Sequence, residues 1–156
     1  MKLIIASVGQ KMPDWITAGF NEYVKRMPRE MKIELLEIKP GMRTSGKTMG
    51  RVMELEAQRI FAALPQNCLR IALDEHGAQI ATRQLAEQMQ GWMREGRDVA
   101  FIIGGADGLH DSVRQAAQQV LALSALTLPH AFVRVLLAEQ LYRAHSLLHN
   151  HPYHRE

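Results

Sequence analysis

The chain ends in Asn150-His151-Pro152-Tyr153-His154-Arg155-Glu156, which sets an aromatic ring, an imidazole and a guanidinium side by side. Such a trio can stack on a nucleobase and grip a phosphate, although at a chain end it is also the composition of an ordinary frayed tail. Just upstream, Glu139-Gln140-Leu141-Tyr142-Arg143-Ala144-His145 falls in a helical stretch. His145 and His149 stand four apart on one helix face, the spacing of a metal-binding pair. No cysteine or carboxylate set completes a zinc site around them, so no metal is expected.

A second motif competes for attention. Gly41-Met42-Arg43-Thr44-Ser45-Gly46-Lys47-Thr48 matches the whole P-loop pattern, in which backbone N–H groups cradle phosphates and the lysine reaches the outer ones. It follows a strand and precedes a helix, and Asp74-Glu75 could serve as the strand end that holds magnesium, so a P-loop nucleotidase is a rival reading. Two features of context weigh against it. Lys32, Glu34 and Glu37 make the preceding strand half polar, whereas a P-loop strand lies deep in a parallel sheet. Gly50 falls in the first turn of the helix that would bind phosphate, costing about 1 kcal/mol relative to Ala.

Two further stretches suit a ligand. Ile102-Ile103-Gly104-Gly105-Ala106-Asp107-Gly108 lies at a strand's C-terminal end, where open α/β sheets bind ligands, but lacks the dinucleotide spacing. Its glycines permit a close backbone approach to a flat ligand, or simply a tight turn. Leu123-Ser124-Ala125-Leu126-Thr127-Leu128-Pro129-His130 offers few charges. As a loop it suits an uncharged ring read by backbone groups; otherwise it is a buried strand with a proline stop.

The elements that must position these residues alternate along the chain. Strands are expected at Leu3–Val8, Lys32–Ile38, Leu69–Leu73 and Asp98–Ile103, the second half exposed and near a sheet edge. Helices are expected after Pro13 to about Val24, around Ala57–Leu64, over Thr82–Glu95, Asp111–Gln119 and Ala131–His149. Glu54, Glu56 and Arg59 are assigned to the solvent side of the second helix, and Asp74-Glu75-His76-Gly77 to a turn. This order predicts an α/β layered domain around a largely parallel sheet, with residues 1–156 forming one domain.

Charge narrows the partners. The net charge of +3 belongs to the first half: residues 1–78 carry twelve basic and nine acidic side chains, residues 79–156 seven of each. Lys39, Arg43, Lys47 and Arg51 lie with no acid among them in a glycine-containing stretch, which reads as a flexible basic loop for phosphate contact or as a solvated one. Cys68, the one cysteine, sits in an apolar run and is expected to be buried; no intrachain disulfide is possible, which points to a reducing compartment. No segment approaches the ~20 apolar residues of a membrane span, and a cytoplasmic location is expected.

Taken together, the Gly104–Gly108 turn, the Leu123–His130 loop, the Glu139–Ala144 helix segment and the terminal Asn150–Glu156 motif resemble the ribosomal large subunit pseudouridine N3-methyltransferase family of the SPOUT superfamily. Met1-Lys2-Leu3 and Lys11-Met12-Pro13-Asp14-Trp15 are similar to it as well, so the resemblance spans the chain. It implies an S-adenosylmethionine-dependent enzyme that methylates N3 of pseudouridine 1915 in 23S rRNA, in the large subunit or the assembled ribosome. It also implies a cytoplasmic homodimer with a C-terminal trefoil knot, which connection rules alone would argue against.

Matched residue by residue, the cofactor would contact Leu73, Gly104, Leu123, Ser124, Ala125, Leu126, Thr127 and Leu128. Arg155 would hold the charge developing on the base or a phosphate, Tyr153 and His154 would orient the base, and Arg143 would support the tail. His130 and Glu139 are further proton-acceptor candidates. Lys39, Arg43, Lys47 and Arg51 would dock RNA. The readings set against an enzyme of this class are the P-loop nucleotidase and a non-catalytic module that binds the ribosome.

Overall fold

A computed structural model describes residues 1–44 and 46–154. The strands are β1 (Lys2–Val8), β2 (Lys32–Ile38), β3 (Leu69–Gln79), β4 (Val99–Ile103) and β5 (Gln119–Ala122), and the helices α1 (Asp14–Val24), α2 (Met49–Ala63), α3 (Thr82–Glu95), α4 (Asp111–Ala116) and α5 (His130–Leu148). The five strands form one parallel sheet in the order β2-β1-β4-β3-β5. Its middle is apolar on both faces: every residue of β4 is buried, and every residue of β1 except Lys2. The mixed pattern of β2 places it at the edge, as expected.

Side chains alternate across the sheet, and each face has its own helices. Leu3, Ile5, Ile71, Val99 and Phe101 face α1, α3 and α5, where Phe20, Met89, Trp92, Leu137 and Leu141 complete a core. Phe101 meets the edge of Trp92 at 5.9 Å between ring centroids. Truncating a fully buried ring of this kind to Ala costs about 3–5 kcal/mol. Ile4, Ala6, Val8, Ala72, Ala100 and Ile102 face the other way, onto Ile60 of α2 and Val113 of α4, with Cys68 buried among them as expected.

A buried arginine sets the position of α5. Arg134 donates from Nε to Ser7 Oγ at 3.0 Å, from Nη2 to the Gly9 carbonyl at 3.0 Å and from Nη1 to Glu37 at 3.0 Å. It is 2% exposed, so removing its carboxylate partner would strand a charge in the interior, a loss of about 3–5 kcal/mol. These bonds hold the start of α5 against the C-terminal ends of β1 and β2.

The structure departs from the sequence expectations at several points: β5 is a strand beyond the four expected, and the helix expected over Asp111–Gln119 stops at Ala116. The turn expected at Asp74–Gly77 lies inside β3, because Leu121 pairs first with Leu73 and again with Ala78. The four residues between them are extruded from the sheet as a bulge. Of the two readings for Leu123–His130, the loop is the one found: β5 ends at Ala122 and Leu126 is 73% exposed. Glu56, assigned to solvent, is buried and accepts the Gly41 N–H at 2.9 Å. Arg51 stands in the first turn of α2 rather than in the loop.

Candidate functional site

Parallel strands all release the chain at the same sheet edge, so the connections gather there and make a pocket. A cleft of about 710 Å³ opens at the ends of β3 and β4, walled by the bulge at 74–77, the turn at 104–108, the loop at 123–128 and the start of α5. The turn is built on glycine. A Cβ at Gly104 would stand 2.6 Å from the Gly108 carbonyl carbon and 2.7 Å from its oxygen, and Gly105 bridges to Gly108. Gly104 is thus packed into a tight turn and also lines the cleft.

The bulge supplies the polar wall. Asp74 accepts the His76 N–H at 2.8 Å and lies 3.1 Å from the Arg114 guanidinium. Burial alone would raise its carboxyl, but the His76 N–H, the Arg114 charge and the His76 ring together hold it below the ordinary value. Glu75 accepts the Thr127 hydroxyl at 3.1 Å, which ties the 123–128 loop to the bulge. Arg114 is committed to Asp74, to the Leu109 carbonyl at 2.7 Å and to Asp111.

Leu73, Gly104, Leu123, Ser124, Leu126, Thr127 and Leu128, all expected to contact a cofactor, line this cleft; Ala125 lies exposed in the same loop without lining it. His130 lines it as well. From sequence, Asp74 and Glu75 are site candidates only as the magnesium-holding strand end of the P-loop reading, and His76 and Arg114 are not candidates at all. The one sequence signal for them was the polar run Asp74-Glu75-His76, which reads equally well as a turn.

The tail residues are elsewhere. His130 opens α5 at the cleft, and Arg143 follows thirteen residues later, about 20 Å along the helix axis. There Glu139 accepts from Arg143 Nε at 2.8 Å and from the Tyr153 hydroxyl at 3.0 Å, while Arg143 donates to the His154 carbonyl at 3.1 Å and lies 4.9 Å from the Tyr153 ring centre. Arg26, just past the end of α1, sits near the rings of Tyr23, Tyr142 and Tyr153. Burial first, then the bonds with Tyr23 and Glu139, raise the Tyr153 hydroxyl well above its ordinary value, so it stays protonated at neutral pH. Tyr153, His154 and Arg143 thus form one cluster, but within one chain it does not meet the cleft. Arg155 lies outside the described residues.

Lys39, Arg43 and Lys47 are exposed on the segment before α2, and Arg51 pairs with Glu54 at 3.1 Å. The donors that a P-loop would aim at phosphate are used internally. The Gly41 N–H goes to the Glu56 carboxylate, the Lys47 N–H to the Thr44 carbonyl at 3.1 Å, and the Thr48 hydroxyl caps α2 by accepting from Arg51 N–H at 3.2 Å. A buried carboxylate at the first glycine repels the anion that the motif would bind. His145 and His149 stack at 4.1 Å, and among the described residues no three His, Cys, Asp or Glu are grouped to hold a metal. Among the described residues, no helix is long and apolar enough to cross a membrane.

This arrangement of sheet and terminal loops is a methylase fold. A probable methyltransferase from Bordetella pertussis Tohama I superposes with a TM-score of 0.58 at 17% identity, covering 92% of this chain and 93% of that one. A probable methylase family protein from Haemophilus influenzae Rd KW20 does so with a TM-score of 0.57 at 14% identity, over 96% of this chain and 67% of that one. The family described as "Predicted SPOUT methyltransferase" matches residues 1–154, and the chain belongs to that family. Relatives named ribosomal RNA large subunit methyltransferase H are 59% identical in Ralstonia pickettii strain 12J, over 99% of both chains, and 58% identical in Methylobacillus flagellatus, over 100% of both.

Proposed function

We propose that residues 1–156 form one methyltransferase domain that works in the cytoplasm as a homodimer and methylates N3 of a pseudouridine in large-subunit ribosomal RNA, with S-adenosylmethionine as donor. The observation that carries this reading is the chemistry of the cleft. Leu73, Ile103, Leu109, Val120 and Leu123 give it apolar walls, Asp74, Glu75 and Asp107 give it carboxylates, and among the described residues no lysine lines it. A phosphate-bearing nucleotide finds no cradle there. An adenosine joined to a cationic, phosphate-free chain fits both the walls and the charge, and the volume lies within the ~300–1,000 Å³ of small-ligand sites.

Bound there, S-adenosylmethionine would supply a methyl group on positively charged sulfur. The 123–128 loop and the glycine turn would hold the adenosine by backbone groups. The base must approach in line and give up its N3 proton, so positioning carries much of the rate enhancement. His130, at the cleft, is the proton acceptor best placed within one chain. Glu139, already bonded to Arg143 and Tyr153, anchors the tail instead.

Tyr153 and His154, which do not line the cleft of their own chain, would then orient the base from the second subunit, and Arg155 would hold its charge. Lys39, Arg43, Lys47 and Arg51 would dock the RNA backbone. The trefoil knot belongs to the same proposal: a Cβ on Gly77 would lie 2.7–2.8 Å from the Val120 and Leu121 backbones, a close crossing of the kind a threaded chain needs.

Transfer of a radiolabelled methyl group from S-adenosylmethionine to ribosomes lacking the modification, followed by mapping of the labelled nucleoside, tests the reading. Label at N3 of pseudouridine is the expected result. Label elsewhere, or none, overturns it.

A further inference from the structure

Arg43, in the segment before α2, donates to the carboxylate of Asp107, in the glycine turn that walls the cleft. The two ends of that bond differ in exposure: the Arg43 side chain is 60% exposed, that of Asp107 18%. The segment around Arg43 is pinned, since Arg59 donates to the Lys39 and Pro40 carbonyls at 2.9 and 2.8 Å and Glu56 holds the Gly41 N–H. Arg43 therefore bridges from the candidate RNA-docking loop, whose backbone is held at residues 39–41, to the cofactor cleft, and its exposed guanidinium can change partner without moving that backbone.

The cleft's carboxylates are not equivalent. Asp74 is matched by Arg114 and the His76 N–H, both within the cleft wall. Glu75 receives the Thr127 hydroxyl and lies 3.8 Å from the His76 ring. Asp107 takes its counter-charge from an exposed guanidinium that a phosphate can also bind, with bidentate geometry and a full negative charge.

We propose that Asp107 reads the charge of the cofactor, favouring the sulfonium form over the neutral thioether product, and that RNA phosphate enables this by drawing Arg43 away. Resting on the function proposed above, the exchange replaces one ion pair within the protein by two pairs to its ligands. Arg43–Asp107 gives way to Arg43–phosphate and Asp107–cofactor cation, and no bond is made or broken. Because coupling between sites is reciprocal, RNA tightens the charged cofactor by the factor by which that cofactor tightens RNA. Once the methyl group has left, the thioether carries no sulfonium charge for Asp107 to hold, and the product is released.

Calorimetry of wild type, Asp107→Asn and Arg43→Ala with S-adenosylmethionine and with S-adenosylhomocysteine tests this. A short RNA hairpin, its binding followed by anisotropy, is added in a second series. Asp107→Asn should weaken S-adenosylmethionine about tenfold and the homocysteine form less than about twofold. Arg43→Ala should tighten S-adenosylmethionine about threefold without RNA, and bound hairpin should tighten it for wild type only. Equal effects of Asp107→Asn on both ligands, weaker cofactor binding by Arg43→Ala, or a bound hairpin without effect would overturn the inference. Wild type that binds no S-adenosylmethionine at all would instead remove the functional reading beneath it. Arg43→Ala alters an exposed side chain, so the question survives should Asp107→Asn fold poorly.

Discussion

Replacing Gly104 with Ala tests whether the cleft wall is as rigid as its packing implies. The added Cβ would meet the Gly108 carbonyl carbon at 2.6 Å, its oxygen at 2.7 Å and the Leu109 nitrogen at 3.0 Å, all backbone atoms that no rotamer change can move. Ordinary contact begins near 3.4 Å, so the 104–108 turn must shift by about 0.8 Å. Such overpacking costs about 1–3 kcal/mol, offset by about 0.4–1 kcal/mol from the stiffer unfolded chain. A net loss of about 1.5 kcal/mol corresponds to a Tm lower by about 4–5 °C for a domain of this size. The same shift displaces Asp107 and the backbone around it, so affinity for S-adenosylmethionine should fall at least about tenfold, since a misplacement near 1 Å can cost two orders of magnitude. The control is Gly91→Ala, in the middle of α3 with nothing within 4 Å of its Cβ. It should gain about 1 kcal/mol from helix propensity and leave binding unchanged. Thermal unfolding followed by calorimetric titration of each variant gives both numbers. If Gly104→Ala matched wild type in Tm and affinity, the close-packed turn would not be what shapes the cleft.

Three further outcomes are expected. Deleting residues 153–156 should abolish methyl transfer to ribosomes while cofactor affinity stays within about twofold of wild type, because Tyr153 and His154 do not line the cleft of their own chain; retained activity after truncation would remove the tail from catalysis. Lys47→Ala should lower the slope of log affinity against log salt for RNA by about 1 and leave ATP binding absent in both proteins, measured by filter binding across a salt series. His145 is held below its ordinary pKa by burial first and by His149 next. The unfolded chain therefore takes up its proton before the folded one, so this contribution to stability is complete above pH 6.5 and declines as pH falls below it. His145→Asn should make Tm flatter than wild type between pH 7 and 5.5.

The architecture was legible because each layer left a periodic trace. A continuous apolar run in β4 announced a strand covered on both faces, and the half-polar β2 announced an edge. The helix expected over Thr82–Glu95 is α3 to its last residue, and Gly96 then ends it in the left-handed conformation. Glu56 shows where period fails. As a charged residue on a helix it belongs to solvent by pattern, yet it is buried because it satisfies the Gly41 N–H of a neighbouring loop, a tertiary need with no local signature.

The site divides along the same line. Leu73, Gly104 and the 123–128 loop could be marked because strand ends, glycine turns and apolar loops are local features with a known place in α/β sheets. Asp74, Glu75 and His76 could not, because their position depends on Leu121 pairing twice with β3 across a four-residue bulge. No residue type at 74–77 encodes that register; it is fixed by where β5 lands, more than 40 residues later. The P-loop pattern errs in the opposite direction. Its eight positions match, yet the fold directs the Gly41 N–H to a carboxylate and the Thr48 hydroxyl to a helix cap. A motif states which groups are available, and only the surrounding fold decides what each of them bonds.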